Sequence, residues 1–303
     1  MPYLSFLLIC VVWGGSFILM DRAMYALGPL AIGVGRMLGG AAVLGIYCAA
    51  TRQWTKLRRG DAWKIALVGF LANSYPYVVQ PYVLRGAGEH AYFGLMVAFV
   101  PLATIALSIP MLGQRPSPRQ LVGVVGGLIC TGLIVLEGRH RGFGAPLLAL
   151  AFSVPLSYAL GNTFIKWRLD HLPAAPLTTM FLGAGGTLLL PLLLAPGALD
   201  RLGLEGPATP REWPLAIGSL ALLSVVGTGM TILLFIRLIQ EQGPLFAGMV
   251  TYVIPIVALI WGHYDQEPLT RLQLVAVGGV LAMVALVQWG AARSPKLPTA
   301  GET

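Results

Sequence analysis

The sequence predicts an all-α integral membrane protein, with ten transmembrane helices as two inverted five-helix repeats around a central cavity. The first reason is composition: 56% of the residues are hydrophobic and the mean hydropathy is +0.77. Only 11% are charged, against about 25% in ordinary soluble domains. The second reason is that the chain divides into ten apolar stretches of about the length that crosses a bilayer. The third is that the second half repeats motifs of the first.

Apolar stretches bounded by charged residues, or by Pro and Gly turns, define the ten predicted spans. The first stretch, PYLSFLLICVVWGGSFILM, lacks a basic n-region and an A-x-A cleavage site. We therefore interpret it as a membrane span rather than a signal peptide. The polar, Pro-containing residues 291–303 are predicted to form a disordered cytoplasmic tail. The predicted spans are 3–20, 29–50, 62–84, 91–113, 120–136, 145–167, 174–196, 214–236, 244–262 and 272–290.

Basic residues are distributed unevenly between the two sides of these spans. Twelve Lys and Arg residues fall on the side of the N-terminus and seven on the other, and the run TRQWTKLRRG carries most of this bias. The positive-inside rule therefore predicts cytoplasmic N- and C-termini in an inner membrane protein. The formal net charge of +8 is explained by this topology and by contact with an anionic leaflet, and it implies no nucleic-acid partner.

Two motifs of the first half recur in the second. MVAFVP at 96–101 recurs as MVTYVIP at 249–255, and QRPSPRQLVGVVGG at 114–127 recurs as EPLTRLQLVAVGG at 267–279. These matches predict two five-helix domains, 3–136 and 145–290. Because five is odd, the second copy must enter the bilayer from the opposite face. Inverted repeats of this kind are typical of alternating-access carriers, whose substrate site lies near the midplane.

Further motifs are VVWGGSF in span 1, Arg36 in span 2, Pro101 in a span that ends LGQR, GVVGGLICTGLIVL in span 5, and Pro255 followed by EPLT. Together they resemble the drug/metabolite transporter superfamily, in its EamA-type branch of ten-span carriers. The resemblance extends from about residue 3 to residue 290. One position departs from it, because Gln114 stands where the family usually has an acidic residue. The resemblance implies a ten-helix bundle around a central cavity that exports or takes up small metabolites, amino acids among them.

The stretch NSYPYVVQPY at 73–82 is unusually polar for a membrane span. At 100° per residue, Asn73, Tyr77 and Gln80 share one helix face, whereas Tyr75 and Tyr82 lie on the opposite side. An unpartnered amide or hydroxyl in hydrocarbon costs about 2 kcal/mol or more. The first face is therefore predicted to meet protein or water in a substrate cavity. The alternative is that these side chains only join neighbouring helices.

Other spans supply further candidates for the predicted substrate-binding set. Aromatic rings in spans 1 and 6 are suited to sandwich an apolar or ring-bearing substrate, and they are equally suited to fill space between helices. The full set of further candidates, from spans 1, 4, 6 and 9, is Trp13, Phe17, Phe99, Tyr158, Asn162 and Tyr252. Four residues are predicted to act in packing or as hinges, because Gly permits close helix approach and Pro bends helices. They are Gly14, Pro76, Pro101 and Pro255.

Arg36 is the most unusual residue in the predicted spans, because it lies about seven residues into span 2. An arginine near a helix centre costs about 2.5 to 3.5 kcal/mol on insertion scales and stays charged. Two interpretations are open: the guanidinium attracts a substrate carboxylate, or it ties helix ends together.

Several chemistries have no support in the sequence. No Asp or Glu lies in any predicted span, all four His lie at or near span ends, and the three Cys have no C-x-x-C spacing. These patterns favour neither an enzyme, nor a proton relay, nor any metal or cofactor. The sequence therefore predicts a secondary transporter, specifically an exporter, of small metabolites such as amino acids or related neutral or zwitterionic solutes, acting as a monomer or homodimer in the lipid bilayer. The alternative is a carrier of lipids or lipid-linked metabolites. An integral membrane enzyme or a channel has less support.

Overall fold

The structure is a computed structural model that describes residues 2–87, 97–136, 145–195, 197–202, 204–254, 256–257 and 271–291. All regular secondary structure in these ranges is helical, which confirms the predicted all-α class. Pro255 lies outside the described residues. So do parts of predicted spans 4 and 9 and the predicted tail after residue 291.

The described helices overlap the ten predicted spans. Four of them, α1, α2, α7 and α8, combine the length and apolarity that a membrane crossing requires. A one-turn helix, Ala198–Arg201, lies between α7 and α8. The bounds are α1 Pro2–Ala23, α2 Pro29–Ala50, α3 61–87, α4 Val100–Leu112, α5 Pro118–Leu136, α6 145–169, α7 Ala174–Leu194, α8 Trp213–Gln242, α9 Pro244–Gly248 and α10 Arg271–Ala291.

Three of these helices contain a π-helical segment that the sequence analysis did not predict. The segments are Phe70–Ser74 in α3, Ile165–Leu169 in α6 and Leu223–Met230 in α8. In α3 the segment comes just before Pro76, whose missing N–H leaves the carbonyl four residues earlier without its α-helical partner. The Tyr75 N–H bonds instead to the Phe70 carbonyl, five residues back. The regular 100° spacing per residue therefore fails within Phe70–Ser74 and holds in the α-helical residues from Tyr75 onward.

Two serines in these π-helical segments bind neighbouring helices in equivalent ways. Ser74 Oγ donates to the Gly185 carbonyl, 2.9 Å away, and so joins α3 to α7. Ser224 Oγ lies 3.2 Å from the Gly35 carbonyl and joins α8 to α2. Ser224 follows Ser74 in the sequence at the same interval at which Gly185 follows Gly35. The two bonds therefore occupy corresponding places in the two halves of the sequence.

Helices α5 and α10 pack closely through small residues. A Cβ atom added to Gly126 would contact Met283, and one added to Gly279 would contact Cys130. Gly279 follows Gly126 at the same interval at which Met283 follows Cys130, so the two contacts correspond between the halves of the sequence. Each helix thus offers a glycine to a longer side chain of the other.

Helices α3 and α7 approach each other so closely that backbone meets backbone at Gly69. A Cβ atom added to Gly69 would lie 2.6 Å from the Phe181 carbonyl oxygen and 3.0 Å from the Gly185 nitrogen. Both neighbours are backbone atoms, so neither can rotate away. Only glycine at position 69 allows this spacing.

We expect Gly69→Ala to lower the stability of the purified protein in detergent by about 1–3 kcal/mol, the usual cost of overpacking. Gly218→Ala is the matched control, because a Cβ atom there has no neighbour within 4 Å. It should leave stability unchanged or raise it by up to about 1 kcal/mol, since alanine is the better helix former. Thermal unfolding measures both variants. Equal melting temperatures for the two would contradict the close α3–α7 approach.

At one end of the bundle, a buried carboxylate joins two connections. Asp61, one residue before predicted span 62–84, accepts hydrogen bonds from the Arg58 N–H at 2.9 Å, Lys64 Nζ at 3.1 Å and His171 Nε2 at 3.1 Å. Burial raises the pKa of Asp61, but these bonds outweigh it and lower the pKa to about 2. The α2–α3 and α6–α7 connections are therefore held together by an ionised aspartate.

The opposite end of the bundle is joined through backbone contacts. The Arg211 N–H donates to the Tyr25 carbonyl at 2.9 Å, and the Arg211 guanidinium lies 4.9 Å from the Tyr25 ring centre. Gly28 lies against the backbone of Gly206. The α1–α2 and α7–α8 connections therefore meet at this end.

We expect acid to weaken the Asp61 contact. Because its folded-state pKa of about 2 is below the ordinary value of 3.8, the stabilisation is complete above about pH 4 and is lost as the pH falls toward 2. Asp61→Asn should lower the melting temperature at neutral pH and flatten its decline between these pH values. The control is Asp170→Asn, because Asp170 is 42% exposed and its ion pair within the described residues is with Lys166; its effect should stay within about 1 kcal/mol. If the melting temperatures of wild type and Asp61→Asn fell by the same amount as the pH was lowered, this assignment of the pH dependence to Asp61 would be refuted.

Candidate functional site

A central cavity of about 200 Å³ lies between helices of both halves. Its wall is largely apolar, with a small number of polar side chains, which is the usual composition of a small-molecule site. The polar lining residues are Ser16, Arg36, Asn73, Tyr77, Gln80, Tyr158, Asn162 and Thr251. The other lining residues are Trp13, Met20, Ala72, Val97, Val100, Ile165, Phe181, Ile232, Phe235, Ile236 and Ile254.

Seven of the ten residues predicted to bind substrate lie in this wall: Trp13, Arg36, Asn73, Tyr77, Gln80, Tyr158 and Asn162. The opposite face of span 3 also lies where the helical projection placed it. Tyr75 OH is 2.6 Å from Ser153 Oγ, and the Tyr82 side chain is 42% exposed. The polar stripe of α3 therefore faces the cavity.

The structure places two other candidates away from the cavity. The Phe99 ring packs edge-to-face on Phe152, with ring centres 4.8 Å apart. Tyr252 is fully buried, and its hydroxyl donates to the Val124 carbonyl at 2.8 Å, which joins the segment after α9 to α5. Neither residue belongs to the described lining of the cavity. Phe17 belongs to α1, but its side chain lies outside what the structure describes.

The residues predicted to pack or bend helices have distinct surroundings. A Cβ atom on Gly14 would contact the Val257 side chain, so this glycine permits close approach of α1 to the segment after α9. Pro76 is buried just after the π-helical segment of α3. Pro101 lies in the first turn of α4, where a missing N–H costs nothing.

Arg36 reaches across the junction of the two halves. Its Nε donates to Thr228 Oγ1 of α8 at 3.1 Å, and Nη1 lies 3.3 Å from Met20 Sδ of α1. The guanidinium also lies over the Tyr77 ring, 5.5 Å from its centre. The Tyr77 ring packs on Gly33, one turn before Arg36, because glycine leaves room for it there.

Sequence reasoning missed Thr228 and Met20 as partners of Arg36. Thr228 lies in the π-helical segment of α8, and no spacing rule pairs it with a residue 192 positions earlier. Reasoning also missed Phe235, whose ring lies 5.1 Å from the Trp13 ring. The only sequence signal for Phe235 is that it is a large aromatic residue in the partner span.

Two further hydrogen bonds orient side chains at the cavity. Trp13 Nε1–H donates to the Gly227 carbonyl of α8 at 3.1 Å. Gln80 Nε2 donates to Tyr158 OH at 3.3 Å, which links α3 to α6. Trp13 and Tyr158 are therefore both fixed by groups on the other half of the sequence.

Asn73 differs from these residues, because its amide nitrogen Nδ2 has no hydrogen-bond partner among the described residues. This nitrogen is buried, although the side chain lines the cavity. A buried donor without a partner costs about 1–3 kcal/mol. Such a group is retained in a folded protein when a ligand or water satisfies it.

The charge of the cavity comes from one residue. No Asp or Glu occurs among the described residues that line it, and Arg36 is the single cation there. Within the same described part of the chain, no group of His, Cys, Asp and Glu side chains is arranged to hold a metal ion. The arrangement suits recognition of a small solute by one cation, several hydrogen-bonding groups and an apolar wall.

A helical bundle with a mostly apolar central cavity is the arrangement of a membrane carrier. The EamA-like transporter family matches residues 1–136 and again residues 146–289. The chain belongs to this family, and it is therefore a membrane transporter rather than an enzyme.

Individual proteins are similar over nearly the whole chain. The protein described as "Uncharacterized inner membrane transporter YedA" in Escherichia coli (strain K12) is 26% identical over 294 residues, covering 95% of this chain and 90% of that protein. Its counterpart in Escherichia coli O157:H7 has the same identity and coverage. A solved structure, described only as "Crystal structure of protein", has a TM-score of 0.74 at 16% identity. It covers 97% of this chain and 99% of that one, and shows the fold alone.

We expect Asn73→Leu to reduce transport while leaving thermal stability unchanged or raised by up to about 1 kcal/mol, because it removes an unsatisfied buried donor. The neighbouring variant Ser74→Ala is the control. The Ser74 hydroxyl lies within hydrogen-bond distance of the Gly69 and Gly185 carbonyls, so its loss should cost about 1 kcal/mol of stability. Thermal unfolding and solute uptake measure the two effects. An Asn73→Leu protein that is less stable than Ser74→Ala would argue for a structural role of Asn73.

Proposed function

We propose that this chain is an inner membrane secondary transporter that exports small metabolites, such as amino acids or related neutral or zwitterionic solutes, by alternating access, and that a carboxylate, as in amino acids and in simple carboxylate anions, is the group that its cavity recognises. The observation that carries this proposal is the central cavity, where one arginine side chain, with no carboxylate near it in the described lining, faces an apolar wall. The E. coli relatives described as inner membrane transporters support the location.

Two features support a ten-span fold built as inverted repeats. The family matches the chain twice, over 1–136 and 146–289, close to the proposed domains 3–136 and 145–290. The paired contacts also recur at equal sequence intervals, as in the bonds from Ser74 to Gly185 and from Ser224 to Gly35. Halves related in this way have two similar conformations that open to opposite sides of the membrane.

The contacts at the two ends of the bundle are suited to act as alternate gates. Asp61 and His171 join the α2–α3 and α6–α7 connections at one end. Arg211 and Tyr25 join the α1–α2 and α7–α8 connections at the other. Opening toward one side requires one set of contacts to separate while the other holds. We place the Asp61 end in the cytoplasm, because Arg58, Lys64 and Lys166 lie there and the positive-inside rule favours that side.

Substrate recognition in this proposal divides between charge and apolar contact. The guanidinium of Arg36 binds the carboxylate, since its planar fork of donors matches two carboxylate oxygens. Asn73 Nδ2 supplies a further donor. The rings of Trp13, Tyr77 and Phe235 offer apolar surface to the rest of the solute.

The test begins with thermal shifts of purified protein against amino acids, amines, sugars and nucleosides, followed by uptake of the stabilising compounds into proteoliposomes. For carboxylate-bearing solutes, Arg36→Gln should lower uptake about 10- to 100-fold, because a charge-assisted hydrogen bond contributes about 1.5–3 kcal/mol. Arg36→Lys should retain part of the activity, since it keeps the charge but loses the bidentate geometry.

Arg168→Gln is the matched control for this experiment. Arg168 is exposed and stacked on Trp167, 3.7 Å from the ring centre, outside the cavity. Its loss should leave uptake near the wild-type rate. Wild-type uptake by a well-folded Arg36→Gln protein would contradict the role of Arg36 in carboxylate binding.

A further inference from the structure

The contacts of Arg36 with described residues use only part of its hydrogen-bond donors. A guanidinium carries five N–H groups, and the contacts to described residues involve Nε with Thr228 and Nη1 with the Met20 sulfur. The Tyr77 ring adds a weak cation–π contact. None of these partners carries a negative charge. In the described lining, the charge of Arg36 is therefore offset only by neutral groups.

This charge has a consequence for the movement of an alternating-access carrier. To change sides, such a carrier passes through a state in which both ends are closed and the cavity is cut off from bulk water. An unpaired charge that loses its water in a low-dielectric site is strongly disfavoured. The hydroxyl of Thr228 and the sulfur of Met20 are weak substitutes for the lost water. The closed, empty state is therefore a barrier.

A carboxylate bound at Arg36 removes this barrier, because it pairs the charge and fills the unused donors. The second unpaired donor, Asn73 Nδ2, would gain a partner in the same loaded state. Both groups thus favour closure around an anion over closure around an empty cavity.

We propose that this transporter works by exchange: Arg36 must be paired with a substrate carboxylate in each direction, so that one carboxylate leaves only as another enters. The inference rests on the proposed function and specifies how the same site operates. It applies to solutes that combine one carboxylate with an apolar body, because the cavity offers one cation and a mainly apolar wall. Slow return of the empty carrier is its distinguishing property.

The experiment uses the purified full chain in proteoliposomes with two labelled probes, benzoate and L-phenylalanine, which share a ring and a carboxylate. Initial uptake is measured into vesicles with an empty lumen and into vesicles preloaded with the same unlabelled compound. For the wild type, we expect preloading to raise the initial rate about tenfold or more for at least one probe, because return with a paired charge avoids the barrier.

Variants test whether the ratio of the uptake rate into preloaded vesicles to the rate into empty vesicles depends on the charge of Arg36. Arg36→Lys should keep a high ratio at a lower rate, since the cation remains. Arg36→Gln removes the cation, so the ratio of preloaded to empty rates should fall toward one in whatever transport survives. Arg168→Gln, outside the cavity, should match the wild type. A purely structural role of Arg36 would lower both rates together and leave their ratio unchanged.

Three outcomes would overturn the inference. Equal wild-type rates into empty and preloaded vesicles would remove exchange while leaving transport intact. A wild-type ratio retained by Arg36→Gln would show that exchange does not depend on this charge. Absence of uptake of both probes into both kinds of vesicle would overturn the proposed carboxylate substrates, and the exchange with them.

Discussion

The constraint on which this structure depends is that a backbone carbonyl inside a membrane protein must find a donor without help from water. The π-helical segments of α3 and α8 change which carbonyls are paired within the helix. Side chains from neighbouring helices bind in these segments: Ser157 Oγ donates to the Leu71 carbonyl at 2.7 Å, and Trp13 Nε1–H donates to the Gly227 carbonyl. Each bond crosses from one half of the sequence to the other. The same irregularity that disrupts the helix therefore holds the two halves together beside the cavity.

The hydrogen bonds between helices repeat in the two halves of the sequence, whereas the polar groups that face the cavity do not. The bonds of Ser74 and Ser224 recur at corresponding places, but the cavity-facing groups of α3 have no equivalents in α8. At the interval that relates Ser74 to Ser224, Asn73, Tyr77 and Gln80 correspond to Leu223, Gly227 and Met230 of α8, and none of these three has a hydrogen-bonding side chain. Thr228 nevertheless contributes, because its hydroxyl holds the Arg36 guanidinium of the first half. The first half supplies Arg36 and most of the polar lining residues. The second supplies Tyr158, Asn162 and Thr251, together with the Gly227 and Thr228 oxygens that hold Trp13 and Arg36.

Periodicity in the sequence predicted much of this arrangement, and it failed where long-range geometry decides. The apolar stretches located the helices, and the polar stripe of span 3 faces the cavity as predicted, because partnering of amides in hydrocarbon is a strong local constraint. The π-helical segments were not predicted, since regular projection assumes one residue spacing throughout. Phe99 and Tyr252 were placed by their proximity to prolines, but their rings pack on Phe152 and on α5 instead. Which neighbour a large aromatic residue meets depends on the packing of whole helices, and one sequence does not contain that information.

The position of Arg36 between the halves connects binding with movement. Its backbone belongs to α2, which packs on both α7 and α8, while its guanidinium is held by α8 through Thr228. A carboxylate would bind the guanidinium donors that these contacts leave unused, so the Nε–Thr228 bond between α2 and α8 remains in the loaded site. Pairing then offsets the charge of Arg36 without breaking this contact between the halves. In such a site, the residue that binds the solute also joins the two halves, so loading makes the closed state accessible while the cation stays fixed in the position that faces the cavity.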